Sequence, residues 1–272
     1  MERKLKQLND LLKELGSVLI AYSGGVDSTF LAVAAHRALG ERVLAVTASS
    51  PTYPQSEIEA AKNLASQLGI RHLVIETDEL ADSSFVANDT NRCYYCKKEL
   101  FNRLQQLAVQ ENMAWVVDGS NLDDLKDYRP GRRAAAEFGV RSPLCEVGLT
   151  KQEIRVLSHR WGLPTWDKPS LACLASRFPY GSPITIEVLT RISQAEAYLR
   201  QFGVKQVRVR HHDHVARIEV EQQDMALFLE ESLRLRIVEK LRSLGYTYIT
   251  LDLAGFRSGS MNEIVNRDRT PI

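Results

Sequence analysis

The sequence of 272 residues has no run of about 20 apolar residues of the length a bilayer-crossing helix needs. It has almost no excess of charge, with 35 Lys and Arg against 34 Asp and Glu, and only 4 cysteines. It also has no internal repeat and no low-complexity tract. Each lack excludes a class. A net charge of +1 gives no overall pull toward nucleic acid or an acidic membrane, although a local basic face can sit inside a neutral total. So few cysteines over this length rule out a small disulfide scaffold, and 44% hydrophobic residues rule out disorder. The segment Met1–Gly16 is charged throughout and lacks the apolar stretch of a secretory signal. The expected location is therefore the cytoplasm, where thiols stay reduced and serve metals or catalysis more often than disulfides.

What is present begins with an amphipathic helix, in which Leu5, Leu8, Leu12 and Leu15 share one face and Gly16 ends it. Short β-branched runs follow at Val18–Tyr22, Val43–Thr47, Leu73–Glu76 and Trp115–Val117, expected as buried strands. Helix-period segments Ser28–Leu39, Gln55–Leu68 and Glu99–Asn112 lie between them. This alternation predicts an α/β fold with a doubly wound parallel sheet, whose ligands sit beyond the carboxyl ends of the strands. Thr150 and Glu153 have capping-box spacing ahead of Ile154, Leu157 and Trp161, which predicts a further helix. The stretch 166–183 then carries Pro169, Pro179, Gly181 and Pro183 around a single cysteine, and reads as an ordered interdomain loop. The expected organisation is a main domain over 1–165, this loop, and a smaller α+β domain over 184–272. A helix near Glu187–Phe202, strands Gln206–Arg210, Val215–Val220 and Tyr246–Leu253, and an antiparallel sheet are expected there.

The sharpest local signal is Ser23-Gly24-Gly25-Val26-Asp27-Ser28, between a predicted strand and a predicted helix. Paired glycines let successive N–H groups curl into an anion nest, and the following helix adds its positive end. Ser23 and Ser28 add hydroxyl donors, and Asp27 makes sense beside phosphate if it holds a divalent cation or the loop itself. The Gly-Lys-Ser/Thr ending of a Walker A loop is missing, so chemistry at the γ-phosphate is not the natural inference. The loop resembles that of the PP-loop ATP pyrophosphatases instead, which implies ATP with Mg2+ and attack on the α-phosphate. Asp118-Gly119-Ser120, after another predicted strand, is where the same fold adds nucleotide or substrate contacts; a plain Asp-Gly turn is the competing account.

Arg92-Cys93-Tyr94-Tyr95-Cys96-Lys97 is a CxxC with cationic neighbours. Such a pair can be redox active, hold zinc, or supply half of an iron–sulfur site. Redox use fits worst, because no thioredoxin pattern surrounds it, and zinc needs further ligands where only Cys145 and Cys173 remain. Together, Cys93, Cys96 and Cys173 could hold three irons of a [4Fe–4S] cluster and leave the fourth open. A lone buried small residue is the bland account of Cys173, and Cys145 is expected to be structural.

Several longer motifs accompany the phosphate loop. They are Asp127-Tyr128-Arg129-Pro130-Gly131, Ser176-Arg177-Phe178-Pro179-Tyr180-Gly181, Val207-Arg208-Val209-Arg210-His211, Ala216-Arg217-Ile218-Glu219, Thr250-Leu251-Asp252-Leu253 and Gly255-Phe256-Arg257-Ser258-Gly259. Together they resemble the LarE family of ATP-dependent sulfur transferases, over nearly the full length. The resemblance implies adenylylation of the carboxylates of pyridinium-3,5-biscarboxylic acid mononucleotide and their conversion to thiocarboxylates, for the nickel-pincer nucleotide of lactate racemase. It implies a small-molecule partner and a homo-oligomer. In sacrificial members a loop cysteine gives up its own sulfur; by alignment that position falls on Ala172, and the three cysteines match the cluster-bearing branch, with Cys173, Cys93 and Cys96 as catalytic ligands.

The resemblance also places Ser176, Arg177, Arg208 and Arg210 at the substrate phosphate and Glu196 near the sulfur or metal site. Arg208 and Arg210 alternate along a predicted strand and so share a face, where two cations repel unless an anion sits between them. A solvated strand face, and for Glu196 a surface-helix carboxylate, are the alternatives. Among competing functions, tRNA thiolation shares the loop and the cysteines, but no nucleic-acid partner is expected from the balanced charge. An amide synthetase would leave the cysteines without a role, and a noncatalytic nucleotide-binding regulator would bind ATP without releasing pyrophosphate.

Overall fold

The computed structural model describes residues 1–125, 130–169 and 172–257. Asp127, Tyr128 and Arg129, with Ser170, Leu171, Ser258 and Gly259, lie outside the described residues. The chain forms two compact units, Met1–Phe85 with Thr90–Leu171, and Val86–Asp89 with the chain from Ala172 onward.

The first unit holds β1 (Val18–Ala21), β2 (Val43–Ser49), β3 (His72–Glu76) and β4 (Trp115–Asp118), all parallel, in the order β3-β2-β1-β4. Its helices are α1 (Glu2–Leu15), α2 (Val26–Leu39), α3 (Gln55–Gln67), α4 (Ser83–Val86, reaching into the second unit), α5 (Arg92–Gln110), α6 (Gly131–Glu137), α7 (Pro143–Glu146) and α8 (Lys151–Arg160). Successive strand residues point to opposite faces, and two apolar layers result. Val18 and Ile20 join Leu8, Leu12, Phe30, Leu31, Ile154 and Leu157 on one face. Leu19 joins Leu44, Phe101, Leu104, Val116 and Ala134 on the other. This two-faced covering is the doubly wound α/β arrangement expected from the sequence.

Three expectations are corrected here. The strand at 72–76 is not buried, because β3 is the sheet edge and Val74 is 42% exposed. The helix expected from Glu99 starts at Arg92, so Cys93 and Cys96 lie within its first turns; the apolar period that marks a helix begins only at Leu100 and Phe101, after the polar CxxC segment. In the second unit, β5 (Val207–His212) pairs antiparallel with β6 (Val215–Val220), but β7 (Tyr248–Leu251) pairs parallel with β6. The sheet is therefore mixed. The connection between β6 and β7 carries α10 (Glu231–Ser243), and a helical crossover returns the chain in the same direction where a short hairpin would reverse it. Leu199 of α9 (Ile186–Arg200) closes the second core with Val207, Val209, Ile218, Leu233 and Leu241.

Among the described residues no helix is long and apolar enough to cross a membrane.

Candidate active site

The order β3-β2-β1-β4 reverses direction between β1 and β4, which opens a crevice at their carboxyl ends. Both segments singled out for nucleotide lie there. Ser23–Ser28 follows β1, and Asp118-Gly119 closes β4. They touch: a Cβ on Gly119 would lie 2.9 Å from the Ser28 nitrogen and 3.1 Å from its Cα. Only a residue without a side chain lets β4 approach the loop this closely.

The loop is shaped as an anion cradle. Gly24 has φ of +64°, and a Cβ there would meet that of Ala61 at 2.9 Å. Gly25 caps α2 with extended backbone and no side-chain cap. The first helical bond runs from the Thr29 N–H to the Gly25 carbonyl at 3.0 Å, so helix geometry leaves the N–H groups of Val26, Asp27 and Ser28 without intrahelical acceptors. The hydroxyls of Ser23 and Ser28 lie 3.1 Å apart, and Ser28 Oγ accepts from the Ser23 N–H at 3.3 Å.

Acidic and basic groups surround this cradle. Asp27 Oδ2 accepts from Lys151 Nζ at 2.5 Å, while its buried Oδ1 has no hydrogen-bond partner. Burial pushes the Asp27 carboxyl above its ordinary range, against the opposing pull of Lys151. A buried, unpartnered carboxylate oxygen beside an anion nest suits a hard divalent cation, so Asp27 is the residue that would hold Mg2+. Asp118 is fixed by Ser142 Oγ at 2.7 Å, the Ser120 N–H at 3.1 Å and Ser120 Oγ at 2.9 Å. Lys168 Nζ donates to the Gly24 carbonyl at 3.2 Å and to Glu57 at 3.1 Å. Lys151, Lys168 and Ser142 belong to no phosphate motif, and sequence reasoning misses them. For Lys151 the available signal was its place directly after the Thr150 cap, at the start of α8.

Cys93 is exposed and Cys96 half-buried, three residues apart in the first turns of α5 and hence neighbours on the helix surface. The Tyr53 hydroxyl lies 3.9 Å from Cys96 Sγ. Within either unit, among the described residues, no three of His, Cys, Asp and Glu gather as a metal site. Cys145 is half-buried, and burial raises its thiol pKa.

In the second unit, Arg177 and Glu196 form a fully buried two-bond fork, Nε to Oε1 at 2.7 Å and Nη2 to Oε2 at 2.9 Å. Glu196 also accepts from the Val209 N–H at 3.0 Å and from Arg200 at 2.8 Å. Burial alone would raise its pKa, but Arg177, Arg200 and Arg208 hold it below the ordinary value. The surface-helix account of Glu196 is thereby excluded. The remaining donor of Arg177, Nη1, reaches the carbonyls of Ala172 at 2.8 Å and Cys173 at 3.0 Å, and Ser176 Oγ adds a third bond at 2.8 Å to the Cys173 carbonyl. The guanidinium thus holds the main chain of the cysteine loop. Arg210 is buried against Glu219 at 2.8 Å and donates to the Ser176 carbonyl at 2.8 Å. Arg208 is buried, 5.4 Å from the Phe256 ring centroid, and burial followed by the neighbouring Arg177 lowers it to about 10. A solvated strand face is excluded for both. The repulsion expected between them is met inside the protein, where Glu196 and Glu219 supply negative charge.

Over 39% identical positions, covering 94% of this chain and 92% of the relative, the sequence matches pyridinium-3,5-bisthiocarboxylic acid mononucleotide synthase of Lactiplantibacillus plantarum. The chain belongs to the family of this synthase. An uncharacterized protein of Synechocystis is 46% identical over 98% of the chain and 100% of its own length. Residues 1–111 match the NAD synthase family, and a glutamine-hydrolyzing GMP synthase of Aeropyrum pernix is 28% identical over 70% of the chain and 40% of its own length. The GMP synthase and NAD synthase matches thus cover only part of the chain, whereas the thiocarboxylate synthase family spans both units. The synthase family is an enzyme family of the PP-loop, ATP-using class, in agreement with the cradle after β1.

Proposed function

We propose that this protein is an ATP-dependent sulfur transferase acting on pyridinium-3,5-biscarboxylic acid mononucleotide. A substrate carboxylate oxygen attacks the α-phosphorus of ATP, pyrophosphate leaves, and an acyl adenylate forms. A sulfur nucleophile then attacks the carboxyl carbon and AMP departs, leaving a thiocarboxylate; repetition at the second carboxylate gives the bisthiocarboxylate. The observation that carries this reading is the anion cradle of Ser23–Ser28 at the β1–β4 switch point, within a chain that matches the synthase along its length. The N–H groups of Val26, Asp27 and Ser28 hold the polyphosphate, which orients the α-phosphorus and neutralises the departing pyrophosphate. Asp27 would hold Mg2+, and Asp118, fixed by Ser120 and Ser142, faces nucleotide or substrate. Ser176, Arg208 and Arg210 are assigned to the substrate phosphate.

For the sulfur, Cys93 and Cys96 would supply two thiolates and Cys173 the third to a [4Fe–4S] cluster. When bound, such a cluster supplies an open iron able to carry the transferable sulfide. The alternative has Cys173 itself as donor: its Cβ–S bond breaks, its α-proton is lost, and dehydroalanine remains. Among the described residues of the first unit no third metal ligand gathers beside Cys93 and Cys96, so the cluster route requires Cys173 of the second unit as its third thiolate.

The deciding experiment is iron and acid-labile sulfide content of protein purified without oxygen, beside a Cys173→Ala variant. A cluster in the wild type that is lost in the variant supports the cluster route. No cluster, with an intact mass that falls by one hydrogen sulfide after incubation with ATP and substrate, establishes Cys173 as sacrificial. Neither a cluster nor a mass change nor pyrophosphate release removes the sulfur-transfer reading.

A further inference from the structure

The phosphate cradle has no cation of its own. Between Ser23 and Ser28 the only charged side chain is acidic, and a bound nucleotide would bring several further negative charges. Helix-end amides alone do not balance that charge, which is why phosphate loops ordinarily enlist a lysine. Two lysines border the cradle. Lys151 is committed to Asp27 at 2.5 Å. Lys168 is held differently: its ammonium is shared between the Gly24 carbonyl at 3.2 Å and Glu57 at 3.1 Å. Its side chain is 24% exposed and that of Glu57 30% exposed, so the pair is partly screened and exchangeable. Meanwhile the backbone that carries Lys168 is anchored, since Arg155 donates to the carbonyls of Trp166 at 2.9 Å and Lys168 at 3.1 Å. An anchored backbone with a loosely held ammonium at the rim of an anion nest is suited to follow an incoming anion.

We infer that Lys168 is the phosphate-binding cation of this site. Without nucleotide its ammonium rests on Gly24 and Glu57; when ATP enters, the ammonium leaves Glu57 for a phosphate oxygen. No bond is made or broken in this exchange, and the cation simply changes partners. The inference rests on ATP being the ligand of the cradle.

Calorimetric titration of the full-length protein with Mg–ATP, and separately with adenosine, tests it. Lys168→Ala is expected to weaken Mg–ATP binding about tenfold and to leave adenosine binding unchanged, while Lys168→Arg restores most of the loss. Glu57→Gln, which removes the competing carboxylate, is expected to tighten Mg–ATP binding about twofold. In the wild type, Mg–ATP should protect Lys168 from an amine-acylating reagent, read by peptide mass mapping. A Lys168→Ala protein that binds Mg–ATP as tightly as the wild type overturns the inference. So does one that loses ATP and adenosine together, or a Lys168 acylated equally fast with and without nucleotide. A wild-type protein that binds no ATP instead defeats the functional reading on which this inference stands.

Discussion

Gly119 and Gly24 set the shape of the phosphate cradle because neither has room for a Cβ. At Gly119 the added carbon would press on the Ser28 backbone at 2.9 Å, so Gly119→Ala must push the start of α2 away from β4. The expected result is Mg–ATP affinity reduced by about tenfold or more, with a near-normal far-ultraviolet circular dichroism spectrum, measured by calorimetric titration. At the other buried site the issue is charge. Glu196 is fully buried and bonded to Arg177, Arg200 and the Val209 N–H, so Glu196→Ala strands the Arg177 guanidinium in a dry interior. Equilibrium urea unfolding should show about 3–5 kcal/mol of lost stability, and far less for the double variant Arg177→Met with Glu196→Leu, which removes both charges and keeps the volume.

α8 shows how an element carries a site. Its N-terminus is closed by a reciprocal capping box, in which Thr150 Oγ1 accepts from the Glu153 N–H and the Glu153 carboxylate accepts from the Thr150 N–H. Lys4 of α1 pins the same carboxylate at 2.7 Å. The residue next to the cap is Lys151, which reaches Asp27, and its own N–H is taken by Asp123 at 2.9 Å. Thr150→Ala should therefore cost about 1 kcal/mol in thermal unfolding. It should also loosen Lys151 from Asp27, visible as a change in Mg2+ dependence of ATP binding. The capping box was legible from the Thr150 and Glu153 spacing alone, because a cap is local. The start of α5 was not, since its first turns carry polar and thiol groups rather than the apolar period that marks a helix.

Across the whole molecule, partly buried and buried histidines set the response to pH. Burial lowers the pKa of His72, with Lys62 adding to it, and of His211 and His212, beside Arg191 and Arg217 respectively. Each folded value lies below the unfolded one of about 6.5, so the unfolded chain binds more protons in that region. The stability they contribute is complete above about pH 6.5 and declines as pH falls through it. Glu146, beside Arg141, and Glu153, beside Lys4 and the Thr150 N–H, are held low and add a second loss below their ordinary range of about 4.3. Unfolding at pH 6 should take up protons, read by calorimetry in buffers of different ionisation enthalpy, and His72→Gln should reduce that uptake.

Sequence alone determined the features that depend on neighbours along the chain. The strands of the first unit follow from short β-branched runs, and its longer helices from the 3.6-residue period. The phosphate loop follows from glycines placed between a strand and a helix, and the Thr150 cap from its spacing. The family resemblance rests on the same kind of local motif. Tertiary structure decided which distant groups share a place. Ser28 and Gly119 meet only because β4 lies beside β1, and Lys151 and Lys168 reach the cradle from 124 and 144 residues away. β7 runs parallel only because a helix precedes it. Arg208 and Arg210 alternate on a strand, as the sequence predicts, yet whether such a face meets water or a carboxylate depends on what packs over it. Here Glu196 comes from α9 and Glu219 from β6, and a buried arginine requires such a partner because an unpaired charge cannot leave water without one.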